Sequence, residues 1–418
     1  MTARRKLAWV AVLYFAEGLP FGIVKDVVPV WMRVGGASLE TIGLLSLIGL
    51  PWTLKFFWSP LVDRYGERRD WIAACLLVLA GATALFAWIE PAPATLALWS
   101  ALFLVTIASA TQDVAIDAYT IGLVDRGEEG RANGVRVAAA RVALIASGGG
   151  LVLLVPWLGW HAIYLIGAVA FVLLAVAVRA APRNVVPPAE RRDWRAPLRL
   201  WLTRPGWPAV FAFAMLYKFG DASMGPMVKP FWLDRGLGVA EIGLVSSTVG
   251  ILLTIAGAVV GGRLTDRWGI GRALLWLGLA QALSNLGYAG VAWLDPPAPT
   301  TLVATPGEAL RALSEPARAL IYTASMLESF TSGLGTAAFL SFLMRICDKQ
   351  HAAVQYAALS ALFALSRDGA GAFSGFATAW LGYASYFTLT FFLSFPGLAL
   401  LPWVRTWVNE EPGEPVRR

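Results

Sequence analysis

Apolar runs of about twenty residues recur along the whole of this sequence, each long enough to cross a hydrocarbon core roughly 30 Å thick. The composition agrees. The chain is 57% hydrophobic and 15% charged with a mean hydropathy of +0.63, where a soluble domain carries about 25% charged residues. Its 418 residues leave room for about twelve spans with short connections. The spans read as 7–32, 40–61, 71–90, 95–119, 133–155 and 160–179, then 207–233, 241–262, 273–294, 318–345, 353–379 and 383–405. The reading is an all-α membrane protein of twelve transmembrane helices in two six-helix, pseudo-symmetric halves. Residues 1–180 form the first bundle and 207–418 the second. Residues 181–206 form a cytoplasmic linker that carries Pro182, Pro187, Pro188, Pro197 and Pro205 among several arginines. The segment 295–317, rich in Pro, is the longest outside loop.

The net charge of +7 is a matter of topology rather than of nucleic acid. Lys and Arg gather in alternate loops: Arg4, Arg5 and Lys6; Arg64, Arg68 and Arg69; Arg126 and Arg131; the stretch from Arg179 to Arg204; Arg263, Arg267 and Arg272; Arg345 and Lys349; and Arg417 and Arg418. The intervening loops carry almost no net positive charge. This is the positive-inside pattern, and it places both termini in the cytoplasm. Cys75 and Cys347 lie in or beside spans, without metal-ligand spacing or a disulfide signal. Glu17 and Pro20 interrupt the first apolar run, so it reads as an uncleaved helix rather than a signal peptide.

The halves repeat. Asp63-Arg64-Tyr65-Gly66 sits between helices 2 and 3, and Asp266-Arg267-Trp268-Gly269 between helices 8 and 9. Upstream, Trp31 and Glu40 before Ile42-Gly43-Leu44 match Trp232 and Glu241 before Ile242-Gly243-Leu244. Late in each half, Leu158-Gly159-Trp160 matches Leu381-Gly382-Tyr383. Three matches in one order make a duplication. Six helices per half keep both copies in the same orientation, the parallel arrangement of major facilitator halves. An Asp beside a helix end followed by Arg and a Gly turn suits a clamp on a neighbouring helix terminus. Asp63, Arg64, Asp266 and Arg267 therefore read as a conformational latch, against the alternative of a solvated loop.

Several stretches resemble a known family. Gly49-Leu50-Pro51-Trp52-Thr53-Leu54-Lys55-Phe56-Phe57-Trp58-Ser59-Pro60-Leu61-Val62-Asp63-Arg64 is similar to the helix 2 signature of AmpG-type muropeptide permeases. So are Ser109-Ala110-Thr111-Gln112-Asp113-Val114-Ala115-Ile116-Asp117-Ala118-Tyr119 in helix 4, and Gly333-Leu334-Gly335-Thr336-Ala337-Ala338-Phe339 with Gln355-Tyr356-Ala357-Ala358-Leu359-Ser360-Ala361-Leu362. They belong to the peptide/acetyl-coenzyme A transporter branch of the major facilitator superfamily. The resemblance implies proton-driven import across the bacterial inner membrane, with anhydro-muropeptide as cargo. Those permeases are often longer by two helices, and the same branch includes siderophore importers of about this size, so siderophore import is the alternative. An exporter of a small amphiphile is a third reading. In this architecture helices 1, 4, 7 and 10 line the cavity.

Ionisable residues within spans are costly unless paired or facing water, so each is a candidate for function. Asp113 and Asp117 share a face of helix 4, and their repulsion has to be offset. Estimated depth along the helices pairs Asp117 with Arg136 and Asp113 with Arg141 across helices 4 and 5. These charges read equally as a static brace or as a gate. Glu17, Lys218 and Glu328 fall near mid-membrane, with Asp221 slightly outward. A carboxylate in a low-dielectric cavity can load and release a proton. Glu17 is therefore the leading proton-coupling residue, with Asp221 and Glu328 beside it; a standing Glu17–Lys218 pair is the alternative. Lys218, Arg141 and Arg367 would hold an anionic group of the cargo. A tryptophan facing the cavity can stack on a sugar ring.

Other function classes find little to stand on. No phosphate-binding loop is present for ATP-driven pumping. A membrane enzyme would want a histidine or metal cluster in a span, and His161 and His351 lie at loop borders, far apart in sequence. A sensor would add a soluble signalling domain. The reading is a secondary transporter and not an enzyme, with no cofactor. Its partners are a small-molecule substrate, protons and the lipid bilayer, and it acts as a monomer.

Overall fold

The computed structural model describes residues 2–124, 129–183, 202, 204–294, 315–347 and 352–409. Every regular element among them is helical. Most of the expected linker and outer loop, together with Arg126, His351, Lys349, Arg417 and Arg418, lies outside the described residues. The helical rods are α1 (Ala3–Val34), α2 (39–64), α3 (Arg68–Leu85), α4 (Leu96–Leu123), α5 (129–158), α6 (160–179), α7 (207–234), α8 (Val239–Trp268), α9 (Ile270–Leu294), α10 (Glu315–Arg345), α11 (352–381) and α12 (383–409).

Ala3–Val34, Leu96–Leu123, Gly134–Arg179 and Val239–Trp268 are each long and apolar enough to cross a bilayer, as is the bent pair Ala358–Ala399 with Leu401–Val408. As one straight helix, Gly134–Arg179 would run roughly 70 Å, more than twice the hydrocarbon thickness. It does not run straight, because Gly159 between α5 and α6 has φ +74°. Gly382 between α11 and α12 has φ +76°.

These two glycines are one of three pairs. Gly36 (φ +90°) and Gly236 (φ +82°) close the ends of α1 and α7, and Gly66 (φ +72°) and Gly269 (φ +79°) follow α2 and α8. A side chain is strained in this region of backbone space, which glycine enters freely. The duplication seen in sequence is thus also a duplication of backbone conformation, with the special residue at the same three corners of each half.

The rods are not uniform α-helix. Pro20 lies near the end of the first α-helical stretch of α1, Ala3–Gly22, and a π-helical stretch, Ile23–Val27, follows it. Ile145–Gly150 in α5 and Ile242–Val249 in α8 are π-helical too. Proline removes a backbone donor and crowds the preceding turn, and Ser147-Gly148-Gly149-Gly150 offers little side-chain bulk to resist distortion. In α7 the helix breaks at Tyr217 and Lys218, and Ser366 Oγ donates to the Met215 carbonyl at that point. The break is therefore met by a side chain of α11, as a helix interrupted away from water requires.

Contacts group the chain into two compact units, residues 1–190 with 237–248, and residues 191–236 with 249–418. The start of α8 (Leu237–Thr248), which the repeat assigns to the second half, groups with the first unit. There it approaches α5: a Cβ on Gly243 would lie 2.7 Å from the Leu153 backbone nitrogen. In the first unit α1 lies against α5, where a Cβ on Gly18 would be 2.7 Å from Ala143 Cβ. Trp31, Phe86 and Tyr164 meet between the ends of α1, α3 and α6, with ring centroids 5.0–5.9 Å apart. The second unit repeats that triangle with Phe231, Tyr288 and Phe387 of α7, α9 and α12.

In the second unit α8 and α10 touch backbone to backbone. A Cβ at Gly257 would lie 2.0 Å from the Phe330 carbonyl oxygen, and one at Gly333 would lie 2.2 Å from the Thr254 carbonyl. Small residues of this kind let membrane helices approach closely. Gly262, on the same helix, has nothing within 4 Å of its Cβ position. Gly257→Ala is expected to cost about 1–3 kcal/mol by overpacking. Gly262→Ala should be neutral or gain about 0.5–1 kcal/mol from helix propensity. Unfolding midpoints of the two variants in detergent check the contrast, and equal midpoints would contradict this packing.

Candidate transport site

In the first unit one pair of intramembrane charges lies in a seam between α2 and α4. Trp52 Nε1 donates to Ser109 Oγ at 3.0 Å, Lys55 Nζ to Asp113 Oδ2 at 3.4 Å, and Trp58 Nε1 to Thr111 Oγ1 at 3.1 Å. The donors stand at positions i, i+3 and i+6. On a regular α-helix such a set drifts around the axis, whereas three residues per turn keeps i and i+3 eclipsed. The helix is indeed 3-10 at Leu45–Gly49 and Lys55–Phe57, with Pro51 and Pro60 interrupting the α-helical bonding around it. The two stretches quoted above as helix 2 and helix 4 motifs are thus the two sides of one interface.

One turn along α4, Asp117 Oδ1 accepts from the Tyr14 hydroxyl at 2.7 Å and lies 3.3 Å from Arg136 Nη2. The Arg136 guanidinium also lies over the Tyr14 ring, 4.6 Å from its centroid. The expected Asp117–Arg136 pair is therefore present. The expected Asp113–Arg141 pair is not. Asp113 pairs with Lys55, and Arg141 has no hydrogen-bond or ion-pair partner among the described residues. The depth argument considered only α4 and α5, and α2 supplies a cation to Asp113 from the other side.

Glu17 lies among these groups, close enough to feel Asp113, Asp117, Arg136 and Lys55 electrostatically. Its Oε2 is buried without a hydrogen-bond partner among the described residues, and so is Asp113 Oδ1. Both residues line one recess of about 140 Å³ together with Gly18, Phe21, Trp52, Ala140 and Leu144.

The second unit builds a different cluster at the break in α7. Lys218 Nζ lies 3.1 Å from Asp221 Oδ2, and donates to the Ser332 carbonyl at 3.3 Å, Ser332 Oγ at 3.4 Å and Thr336 Oγ1 at 3.0 Å. Ser332 Oγ also donates to Asp221 Oδ2 at 3.2 Å. Asp221 is within hydrogen-bonding reach of Gln281 and Glu328 as well. The Gly333-Leu334-Gly335-Thr336 motif acquires a role residue by residue. Gly333 admits α8, Gly335 leaves room for Gln281 (a Cβ there would be 2.1 Å from Oε1), and Thr336 holds the ammonium. On α11, Arg367 Nη2 lies 3.4 Å from Asp368 Oδ1.

The loop motif is less informative. Asp266 and Arg267 are exposed at the end of α8, and the side chains of Asp63 and Arg64 lie outside the described part. The contacts around the first loop come from its neighbours: Arg68 Nη1 donates to the Ala118 carbonyl at 2.8 Å, and Arg69 Nη1 to the Ala181 carbonyl at 3.1 Å.

With this geometry in hand, the major facilitator superfamily model matches residues 10–367. The chain belongs to the major facilitator superfamily. It is 34% identical over 404 residues to the anhydromuropeptide permease of Escherichia coli (strain K12), covering 93% of this chain and 78% of that protein. This relative places it in the AmpG-like branch. A putative transporter, AmpG 4, of Rickettsia conorii is 25% identical over 97% of each chain. A POT family transporter solved with a thioalcohol-conjugated peptide shares the fold at a TM-score of 0.72, with 12% identity over 97% of each chain. The protein is accordingly a multi-pass membrane transporter and not an enzyme.

Tyr14, Gln281, Ser332 and Thr336 escaped the list of candidates because they carry no charge. Lys55 stands in the helix 2 motif, where the sequence alone assigns it no partner. Removing Lys55 leaves a mostly buried carboxylate uncompensated, which is the costly half of a broken pair. Since Lys55 keeps about a third of its surface exposed (32%), Lys55→Met is expected to cost on the order of 2 kcal/mol, below the figure for a fully buried pair. The double variant Lys55→Met/Asp113→Asn should recover most of that loss. A thermal-unfolding cycle on the four proteins measures it, and purely additive losses would show the pair to be uncoupled.

Proposed function

We propose that the protein is a proton-coupled importer of an anhydro-muropeptide-class solute at the bacterial inner membrane, working by alternating access as a monomer with both termini cytoplasmic. The observation that carries this reading is the 34% identity to the anhydromuropeptide permease over 93% of the chain. The charges of the first unit support it. An importer of a bulky polar cargo needs a group that exchanges a proton and a cation that meets an anion, each without a standing structural partner. Among the described residues Glu17 Oε2 is buried without a hydrogen-bond partner and Arg141 has no ion pair. A guanidinium in that state suits a carboxylate of the cargo; its candidate counterpart in the second unit, Arg367, would have to leave Asp368 to meet one.

Lys218 reads differently from the expectation built on sequence. With its ammonium committed to Asp221, Ser332 and Thr336, it braces the break in α7, and proton exchange in that unit falls to Asp221 and Glu328. The Tyr14–Asp117–Arg136 group and the Lys55–Asp113 pair are the candidate gate, with Asp63, Arg64, Asp266 and Arg267 as the latch.

Uptake of radiolabelled anhydro-muropeptide into proteoliposomes, with an imposed inward proton gradient, tests both parts. Wild-type protein should accumulate the solute only with the gradient. Glu17→Gln should lose gradient-driven accumulation at least about tenfold while retaining counterflow exchange, since a neutral isostere removes proton loading but not binding. Full proton-dependent uptake by Glu17→Gln would end the coupling assignment. Accumulation of a ferric siderophore in place of the muropeptide would replace the cargo.

A further inference from the structure

Where α8 ends and α9 begins, the second unit carries a groove of about 370 Å³ lined by Trp268, Arg272 and Trp276. Trp268 is the last residue of α8, a helix long and apolar enough to cross a bilayer, so the groove stands where that span emerges from the hydrocarbon. Gly269, with φ +79°, turns the chain there, and Arg272 and Trp276 follow about one helical turn apart on α9. Both indoles are open, Trp268 being 42% and Trp276 59% exposed. A second guanidinium comes from the end of α12. Leu401, Val404 and Trp407 of that stretch are buried while Arg405 is exposed, and Arg405 Nε lies 3.5 Å from the place a Cβ on Gly271 would take.

The duplication separates this arrangement from an ordinary basic loop. Arg69 and Arg272 stand at the same place, directly after the turn glycines Gly66 and Gly269 and at equal spacing from them. Arg69 spends its guanidinium inside its own unit: it donates to the Ala181 carbonyl at 3.1 Å and lies 3.3 Å from Glu67. Ile270 takes the place of Glu67 in the second half, and among the described residues neither Arg272 nor Arg405 has a hydrogen bond or an ion pair. The stretch from Arg263 to Arg272 also holds Arg267, against a single carboxylate, Asp266. Guanidinium groups without an acceptor, beside open indoles at the edge of a bilayer, call for an anion with apolar bulk attached to it.

We propose that this groove is a binding site for an anionic phospholipid, whose phosphodiester meets Arg272 and Arg405 while its glycerol and first acyl carbons pack against Trp268 and Trp276. A guanidinium fork matches phosphate oxygens in pairs. Indoles favour the headgroup level, where one end of the ring is wet and the other apolar. Basic pockets beside membrane spans hold acidic headgroups for these reasons. The volume agrees. At roughly 30 Å³ of liquid volume per water, a groove of about 370 Å³ exceeds what a bare phosphate fills and suits a headgroup with its glycerol. Such a site needs only the membrane that the fold already requires, and it stands apart from the cargo and from the charges around Glu17 and Lys218. A lipid held there bridges the α8–α9 turn and the end of α12.

Native mass spectrometry of the full-length protein in detergent tests the site, with dioleoyl phosphatidylglycerol and dioleoyl phosphatidylethanolamine as probes of equal chains and different charge. The wild type should retain the phosphatidylglycerol at least about tenfold better. Arg272→Gln and Arg405→Gln should each lower that retention about fivefold, and Arg272→Lys should fall between, because an ammonium keeps the charge and loses the fork. Trp268→Leu combined with Trp276→Leu should lower it as well, and it carries the comparison if an arginine variant does not fold. Removing two other exposed arginines, Arg4→Gln with Arg5→Gln, should leave the preference within about twofold, since a screened charge acts only nearby. An equal loss in that control would reduce the preference to net charge and overturn the site. So would equal retention of the two lipids by the wild type, or unchanged retention in the folded Arg272→Gln/Arg405→Gln variant. Displacement of the lipid by an excess of inorganic phosphate would mark a site for soluble anions instead and overturn it too.

Discussion

The seam between α2 and α4 is the constraint on which the first unit depends. Two indole N–H groups and an ammonium reach across it to two hydroxyls and a carboxylate, and none of these groups can be left unsatisfied cheaply away from water. The seam requires α2 to bring Trp52, Lys55 and Trp58 to one face, which a regular α-helix does not do. The 3-10 turns and the two prolines of α2 are the local means. Once the seam is made, Asp113 is turned toward α2, and Arg141 does not take the role that helix depth alone would give it.

Much of this was legible in the sequence, for identifiable reasons. Helical spans follow from apolar run length, and the duplication follows from motifs that occupy equal places in each half. Gly66, Gly159, Gly269 and Gly382 of those motifs then prove to have positive φ, a position where the amino acid itself records the backbone. The Asp117–Arg136 pair was legible because both residues lie near the same ends of adjacent helices. The Asp113 pairing was not, since depth along α4 and α5 leaves out the cation that α2 supplies. The uncharged partners were hidden for another reason: Tyr14, Ser332 and Thr336 look like ordinary helix residues until a charge is found beside them.

Helix packing sets the stage for both clusters. Gly18 and Gly22 seat α1 on α5 and so bring Glu17 toward α4, while Gly333 and Gly335 seat α10 on α8 and admit Gln281 beside Asp221. The glycines of the motifs and the charges of the motifs therefore cannot be separated into packing and function. Each close approach fixes how near a titratable group stands to its neighbours, and that distance decides whether the group is paired.

The two halves descend from one pattern, yet they spend their polar groups in opposite ways. In the second unit Lys218 has three partner residues, and the cluster around it closes on itself, spanning the break in α7. In the first unit the corresponding region keeps, among the described residues, an oxygen of Glu17 and one of Asp113 without a hydrogen-bond partner and an Arg141 without an ion pair. A closed network resists change, because any movement must break charge-assisted bonds before new ones form. An open one gains by accepting a ligand or a proton, because the cost of its unsatisfied atoms is then relieved. The asymmetry between the units is thus one of closure: around Lys218 the polar groups are committed to one another across the break in α7, whereas around Glu17 and Arg141 they are not.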